Sequence, residues 1–323
     1  MTLVKLDEAA YAAASFLDER ILALEYPQTS CPLTTIHAAA AALTPTSHYV
    51  FHTGHVGSTL ISRLIGEHKG VFSLREPALL RTFAGEPALE HGAVPADAQA
   101  NLVSVLALLA RTWRAEQRAV IKVTSIVNEL AEFILAGAER PAAIFMFADP
   151  LNYVRGILAG PNSRAESKML APARRRRLIR RLGDVDWHSD PRSEGEQAAM
   201  SWLCEMTALH QAALRFGSRV LWVNFDAFLS EPLPQLAAIF KALDAAPSFG
   251  EIEALVSGPI MRQYSKAPQH AYDAALRREV LRSADWQHGL EIRRGMDWLQ
   301  AVAHDHPLAD DTLEAAARIR PRA

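Results

Sequence analysis

The chain has 323 residues, of which 50% are hydrophobic and 22% charged, with a formal net charge of −2. That length suits one large α/β domain or a domain with appendages, and the balanced charge argues against a surface built to coat nucleic acid or an anionic membrane. The two cysteines, Cys31 and Cys204, are far apart and lack metal-ligand spacing, which reads as reduced thiols in a cytoplasmic protein.

Residues 1–46 read as an alanine-rich helical extension. The stretch "MTLVKLDEAAYAAASFLDERILALE" carries acids throughout and no uninterrupted apolar core, so an amphipathic helix is expected rather than a signal peptide. "HYVFHT", from His48, is β-branched and aromatic; a turn follows, and a helical pattern begins at Ser58. "GVFSL" at 70–74 predicts a second strand, 96–117 a helix, "RAVIKVTS" at 118–125 a third strand and 127–138 another helix. "AAIFMFADP" repeats the theme, with Asp149 as the expected N-cap and Pro150 at the first helical position. Residues 160–197 differ in composition, with six arginines in the eight residues 174–181, and read as an insertion or lid. "SRVLWVNFDAF" at 218–228 is the last strong strand signal and "LPQLAAIFKAL" the helix after it. Residues 246–323 read as a helical segment packed on a core spanning 47–245. The longest apolar run, "PAAIFMFA" at 141–148, falls far short of the roughly 20 residues a membrane helix needs.

Apolar strands separated by helices predict an α/β fold, a parallel sheet of about five strands buried on both faces. Ligands in such sheets sit at the carboxyl ends of the strands, which places His52–Thr59, Lys122–Ser125 and Asp149–Gly156 on one rim. The first of these invites comparison with a phosphate loop of the form G-x-x-x-x-G-K-[ST]. Counting back from Gly57, the first glycine falls on His52 and the lysine on Ser58. What remains is Gly54-His55-Val56-Gly57-Ser58-Thr59 at a helix start, whose unsatisfied amides still attract an anion. The plainer reading is a tight strand-to-helix turn.

"TGHVGSTLISRL" resembles the loop of the sulfotransferase family, whose members have a three-layer P-loop NTPase-like fold and use 3′-phosphoadenosine 5′-phosphosulfate (PAPS). "GVFSLREP", "AVIKVTS", "FMFADPLNYVRGIL" and "VLWVNFDAFLSEPLPQLAAIFKAL" resemble later family segments, in family order, over about 48–245. The resemblance implies sulfuryl transfer from PAPS to a hydroxyl or amine of a small-molecule acceptor. It implies that Gly54, His55, Gly57, Ser58 and Thr59 hold the donor and that Lys122 faces the transferred group. Three positions depart from the family pattern: His55 replaces a cation, Ala148 an arginine and Gly156 a serine. Arg155, Ser163 and Arg164 are the expected substitutes, with Lys266 or Arg262 in a C-terminal basic loop. Thr124 stands where many members carry a catalytic histidine, leaving Glu76 as the candidate base.

Each assignment has a plainer rival. Glu76 would pair with Arg75 or Arg81, and Lys122 with Asp149 or Glu129. The arginine run would be a solvated helix flanked by acids, or else a lid; no aromatic residue interleaves it, which disfavours nucleic acid. His48, His52 and His55 lack the further ligands of a metal site, so no metal is expected. The expected partner is a small-molecule acceptor, with a homodimer allowed and no membrane contact. The alternative functions are a non-catalytic nucleotide-binding or interaction protein, motivated by Ala148 and Gly156, and an ATP-dependent kinase-like phosphotransferase. The absent lysine, and the lack of an aspartate ending "VIKVTS", disfavour the second.

Overall fold

Seven strands and fifteen α-helices are present in a computed structural model that describes residues 1–22, 26–85, 89, 93–137, 139–183, 193–264 and 269–319. The first segment holds β1 (Thr2–Val4), α1 (Glu8–Ala13), α2 (Glu19–Leu22), β2 (Gln28–Ser30) and α3 (Leu33–Ala40). β1 and β2 pair antiparallel, Thr2 opposite Ser30, so the extension expected to be helical also carries a small sheet. The polar, three-residue "QTS" of β2 gives no period by which a sequence reading would find it.

The central sheet consists of β3 (His48–His52), β4 (Val71–Arg75), β5 (Arg118–Lys122), β6 (Ala143–Phe147) and β7 (Val220–Asn224), all parallel, in the order β4-β5-β3-β6-β7. Between these strands lie α4 (Ser58–Gly66), α5 (Ala78–Ala84), α6 (Ala96–Leu109), α7 (Ala131–Leu135), α8 (Pro150–Ala159), α9 (Pro161–Leu182) and α10 (Glu194–Phe216). After β7 come α11 (Phe225–Ser230), α12 (Pro232–Ala242), α13 (Phe249–Ser257), α14 (Ala274–Asp305) and α15 (Pro307–Arg318). The chain starts in the middle of the sheet at β3, runs to the β4 edge, returns to β5 and then crosses to β6 and β7. This reversal at β3 opens a crevice beyond the carboxyl ends of the strands.

Side chains alternate across the sheet as the period of a strand dictates. Tyr49, Phe51, Ile121 and Phe145 point to one face, under α5, α6 and α7. Val50, Val120, Ile144 and Met146 point to the other, against α4, α8 and α10. Both faces are therefore dry, which is why the strands read as continuous apolar runs.

Several expected boundaries shift for local reasons. The helix expected over 127–138 begins as a 3-10 turn, Ser125–Leu130, before α7. The strand expected over 218–228 stops at Asn224, whose side chain accepts the N–H groups of Asp226 and Ala227 and so caps α11. Asp149 occupies the N-cap position of α8 and Pro150 its first helical position, but the Asp149 carboxylate accepts instead from Asn224 Nδ2 at 3.2 Å.

The arginine run is neither a lid nor a solvated helix. It lies within α9, which packs against α10, and Arg174 and Arg177 are buried. Glu205 of α10, fully buried, accepts from Arg174 Nε at 3.1 Å and from Arg177 Nη2 at 3.0 Å. Glu129 accepts from Arg177 at 3.3 Å and forms a close ion pair with Arg181. Arg181 also donates to the Cys204 carbonyl and to Thr207 Oγ1. Burial works against ionisation of Glu129, but the guanidiniums of Arg181 and Arg177 outweigh it and hold its carboxyl below the usual range. Burial also pushes the Cys204 thiol up to about 11.

Removing one member of such a network leaves its partners as uncompensated buried charges. Glu205→Ala is expected to cost about 3–5 kcal/mol in urea denaturation, and Arg174→Met combined with it to recover part of that loss. A cost below about 1 kcal/mol, the range of exposed pairs, would remove Glu205 as the centre of the network.

Candidate functional site

The carboxyl end of β3 leads into a loop, Thr53–Gly57, in which three residues take positive φ: +90° at Gly54, +54° at His55 and +67° at Gly57. Only glycine takes such values freely. At Gly57 a second constraint adds to the first, because a Cβ there would lie 2.0 Å from the Phe225 ring. His55 is held in its left-handed conformation from the start of α9, where Ser163 Oγ lies 3.3 Å from Nδ1 and Glu166 Oε2 3.2 Å from Nε2.

His52, at the position of the first glycine in a lysine-bearing phosphate loop, is a side-chain clip. The Gly54 N–H donates to its Nδ1 at 2.9 Å, and Nε2 lies 2.8 Å from the Val123 carbonyl. A carbonyl only accepts, so Nε2 carries the proton, Nδ1 is bare, and the imidazole is neutral. The His52 carbonyl in turn accepts from Asn128 Nδ2 at 3.0 Å, whose other donated bond reaches Glu205 at 3.1 Å. Tyr153 Oη donates to the Thr53 carbonyl at 3.0 Å.

Past this loop α4 begins without a side-chain cap. The amides of His55, Val56, Gly57 and Ser58 have no protein acceptor among the described residues. The helix dipole adds to these open donors, giving the terminus a preference for an anion.

Lys122, at the end of β5, has a side chain that is 1% exposed. Its Nζ lies 3.3 Å from Thr59 Oγ1 and forms a close ion pair with Glu76. Glu76 follows β4 with φ +53°, and its N–H donates to the Lys122 carbonyl at 2.6 Å. The plainer partners expected for both residues are therefore corrected: Lys122 and Glu76 pair with each other. Arg75 reaches away, to the carbonyls of Tyr11, Ala12 and Ala14, and Arg81 binds Glu19. Phe16 covers the pair, its ring centroid 5.4 Å from Lys122 Nζ and 3.6 Å from the Arg20 guanidinium.

A cleft of ≈240 Å³ runs from the loop and Lys122 past Gly156 and Ser163 to Phe225, Tyr264 and Arg277. His55, Gly57, Ser58, Thr59, Lys122 and Ser163 all line it, so sequence-predicted residues from three distant segments meet there. Gly54 stands behind the loop, committed to His52. Arg155 and Arg164 do not line the cleft. Arg155 donates to Asp285 at 2.7 Å and to Asn152 at 3.0 Å, and Arg164 to the Leu158 carbonyl at 2.8 Å. Lys266 lies outside the described residues. Ala148 is buried in the core, its carbonyl accepting from Trp202 Nε1, whereas Gly156 faces open space.

Sequence reasoning missed Arg277. It is buried on α14, lies 4.6 Å over the Phe225 ring and donates from Nε to Asp226 Oδ1 at 2.6 Å. Burial opposes its charge, but the Asp226 hydrogen bond and carboxylate raise its pKa above the usual value. In "DAALRREV" nothing separates Arg277 from Arg278; the one available signal is Asp273, which caps α14 one turn earlier.

Two substitutions dissect the clip, since an asparagine amide places an acceptor near the Nδ1 position and a glutamine amide places a donor near Nε2. Amide hydrogen exchange at Gly54, read by NMR, should accelerate about fivefold to tenfold in His52→Gln, as expected for losing a bond of about 1 kcal/mol, and stay near wild type in His52→Asn. Equal exchange in both variants would refute the assigned tautomer.

No family model matches the chain, and no curated protein matches it. Among solved structures it is similar to the sulfotransferase domain from the curacin biosynthetic pathway, with 15% identity and a TM-score of 0.43 over 80% of this chain and 99% of that one. It is also similar to retinol dehydratase in complex with androsterone and inactive cofactor PAP, with 14% identity and a TM-score of 0.37 over 84% and 86% of the two chains. A retinol dehydratase complex with retinol and PAP gives 12% identity and a TM-score of 0.39 over 87% and 89%.

Proposed function

We propose that the chain transfers a sulfuryl group from PAPS to a hydroxyl or amine of a small-molecule acceptor. The observation that carries this reading is Lys122: a buried cation, brought by β5, that meets the first turn of α4 through Thr59 on one side and a carboxylate, Glu76, on the other. The cation missing from the loop at Ser58 is thus supplied from a neighbouring strand.

The donor set suits an anionic group at the α4 terminus. The open amides with Ser58 and Thr59 bind phosphate oxygens there, and Lys122 neutralises charge on the oxygen that leaves. PAPS, when bound, supplies the sulfuryl group. The acceptor oxygen or nitrogen would take the sulfuryl group as the bond from sulfur to the phosphate oxygen breaks, with Lys122 facing the leaving phosphate and Glu76 taking the acceptor proton. Glu76 itself does not line the cleft; it stands behind Lys122, which does, and its role as base is reached through that ion pair. Arg277, across the cleft, is the cation we assign to the 3′-phosphate in place of an arginine at Ala148.

Calorimetric titration with adenosine 3′,5′-bisphosphate against ATP-magnesium tests the donor. Binding of the bisphosphate alone is expected, weakened at least tenfold in Arg277→Met. Binding of ATP-magnesium alone would replace the reading with the phosphotransferase, and binding of neither with the non-catalytic protein that Ala148 and Gly156 motivate. With phenol, alcohol and amine acceptors, Glu76→Gln should lower PAPS consumption by roughly 10²–10⁴ while leaving bisphosphate affinity unchanged; near-normal turnover removes Glu76 as the base.

A further inference from the structure

A second cavity, of ≈320 Å³, is walled by α1, α4 and β4 and shares no lining residue with the donor cleft. Its charged lining comprises Arg63, Lys69, Arg75 and Arg114 against Glu8 and Glu67. Arg114 is taken by Glu8 at 3.0 Å, and His68, also on the wall, turns to Glu251 at 2.7 Å. Arg75 is the anomaly. It is 4% exposed, yet every group it bonds is a neutral carbonyl: Ala14 from Nε at 2.7 Å, and Tyr11 and Ala12 from Nη2 at 2.9 and 2.7 Å. Its Nη1 has no partner among the described residues.

A buried guanidinium without a carboxylate is costly. The cost is visible here: burial, and then the like charge of Arg63, pull Arg75 down to about 10, with only Glu67 offsetting them. Burial lowers Arg63 as well. Arg63 is partnered, its Nη2 donating to Ser15 Oγ at 2.8 Å with Glu67 favouring its charge, so the spare donor is the Arg75 Nη1 beside the cavity, and a buried guanidinium so placed is an anion site lacking its anion.

We propose that this cavity binds a compact tetrahedral dianion, of the phosphate or sulfate type, between Arg75 and Arg63 with Lys69 at its rim. The site is separate from the donor cleft and does not depend on the function assigned to it. Its placement gives it a consequence for that cleft. Arg75 fastens the last carbonyls of α1, and the Leu17 N–H donates to the Arg75 carbonyl at 2.7 Å, so the same residue secures the segment that lays Phe16 over Lys122. An anion that relieves the charge of Arg75 tightens that hold.

The test is titration of the full chain with inorganic phosphate, inorganic sulfate and phosphoserine at matched ionic strength, read by calorimetry and by the Arg75 Nε–Hε resonance. Because the α4 terminus also attracts phosphate, the comparison is made in wild type and in Lys122→Met. Saturable binding that shifts the Arg75 resonance is expected in both, weakened at least tenfold by Arg63→Gln in either background. Tighter binding of phosphoserine than of inorganic phosphate would assign the anion to a phosphorylated partner group; the reverse would assign it to a free ion. An Arg75 resonance unmoved by all three ligands in wild type, or an affinity indifferent to Arg63→Gln, overturns the proposal. Failure of adenosine bisphosphate to bind leaves each of these outcomes readable.

Discussion

The Glu205 carboxylate is the fixed point on which the rest of the site hangs. It lies at the middle of α10, out of water, and is bound by Arg174 and Arg177 of α9. Its second oxygen takes the Asn128 amide, which bonds the last carbonyl of β3. Through that one carboxylate the α9 helix, the α10 helix, the 3-10 turn and the central strand share a position. Buried charge is tolerated only when fully partnered, so these elements cannot drift independently without exposing an unpaired ion. The distorted loop that follows β3 therefore starts from a rigid base.

Upon that base the loop's shape is set by contacts that each remove one freedom. His52 accepts from Gly54, two residues ahead, and donates sideways to the Val123 carbonyl, adjacent to Lys122. Ser163 and Glu166 hold His55 from α9. Such over-determination is how strained backbone persists at a site. The result is a preorganised row of amides, with a cation arriving from β5 instead of from the loop. The Lys122–Glu76 pair then stands at the junction of two pieces of chain, the helix terminus and the end of the β4 edge strand.

Much of this was legible in the sequence for a simple reason. Strands buried on both faces announce themselves as apolar runs, and a strand, small-residue loop and helix in succession mark a rim, so β3, β5, β6, β7 and the meeting of His55, Ser58, Thr59, Lys122 and Ser163 follow from local pattern. What escaped depends on pairing across long separations. The arginine run reads as solvent-facing because nothing near it in sequence reveals that Glu205 and Glu129 face it. Arg277 belongs to the same class, its partner Asp226 lying on another helix. Arg155 and Arg164, by contrast, lie near Gly156 along the chain, yet on a helix adjacent residues point apart, and both bond elsewhere. The Phe16 cover was invisible because an aromatic in an amphipathic helix is ordinarily a packing residue.

Phe225 touches both ends of the cleft. One edge of its ring forbids any side chain at position 57, and its face carries the Arg277 guanidinium. The ring is thus a spacer of fixed thickness between an anion-attracting helix end and a second cation. Because an aromatic ring is incompressible, the interval between those two positive features is set by covalent geometry instead of by flexible side chains. A smaller side chain at position 225 would therefore loosen both contacts at once, freeing the space beside position 57 and the seat of the Arg277 guanidinium.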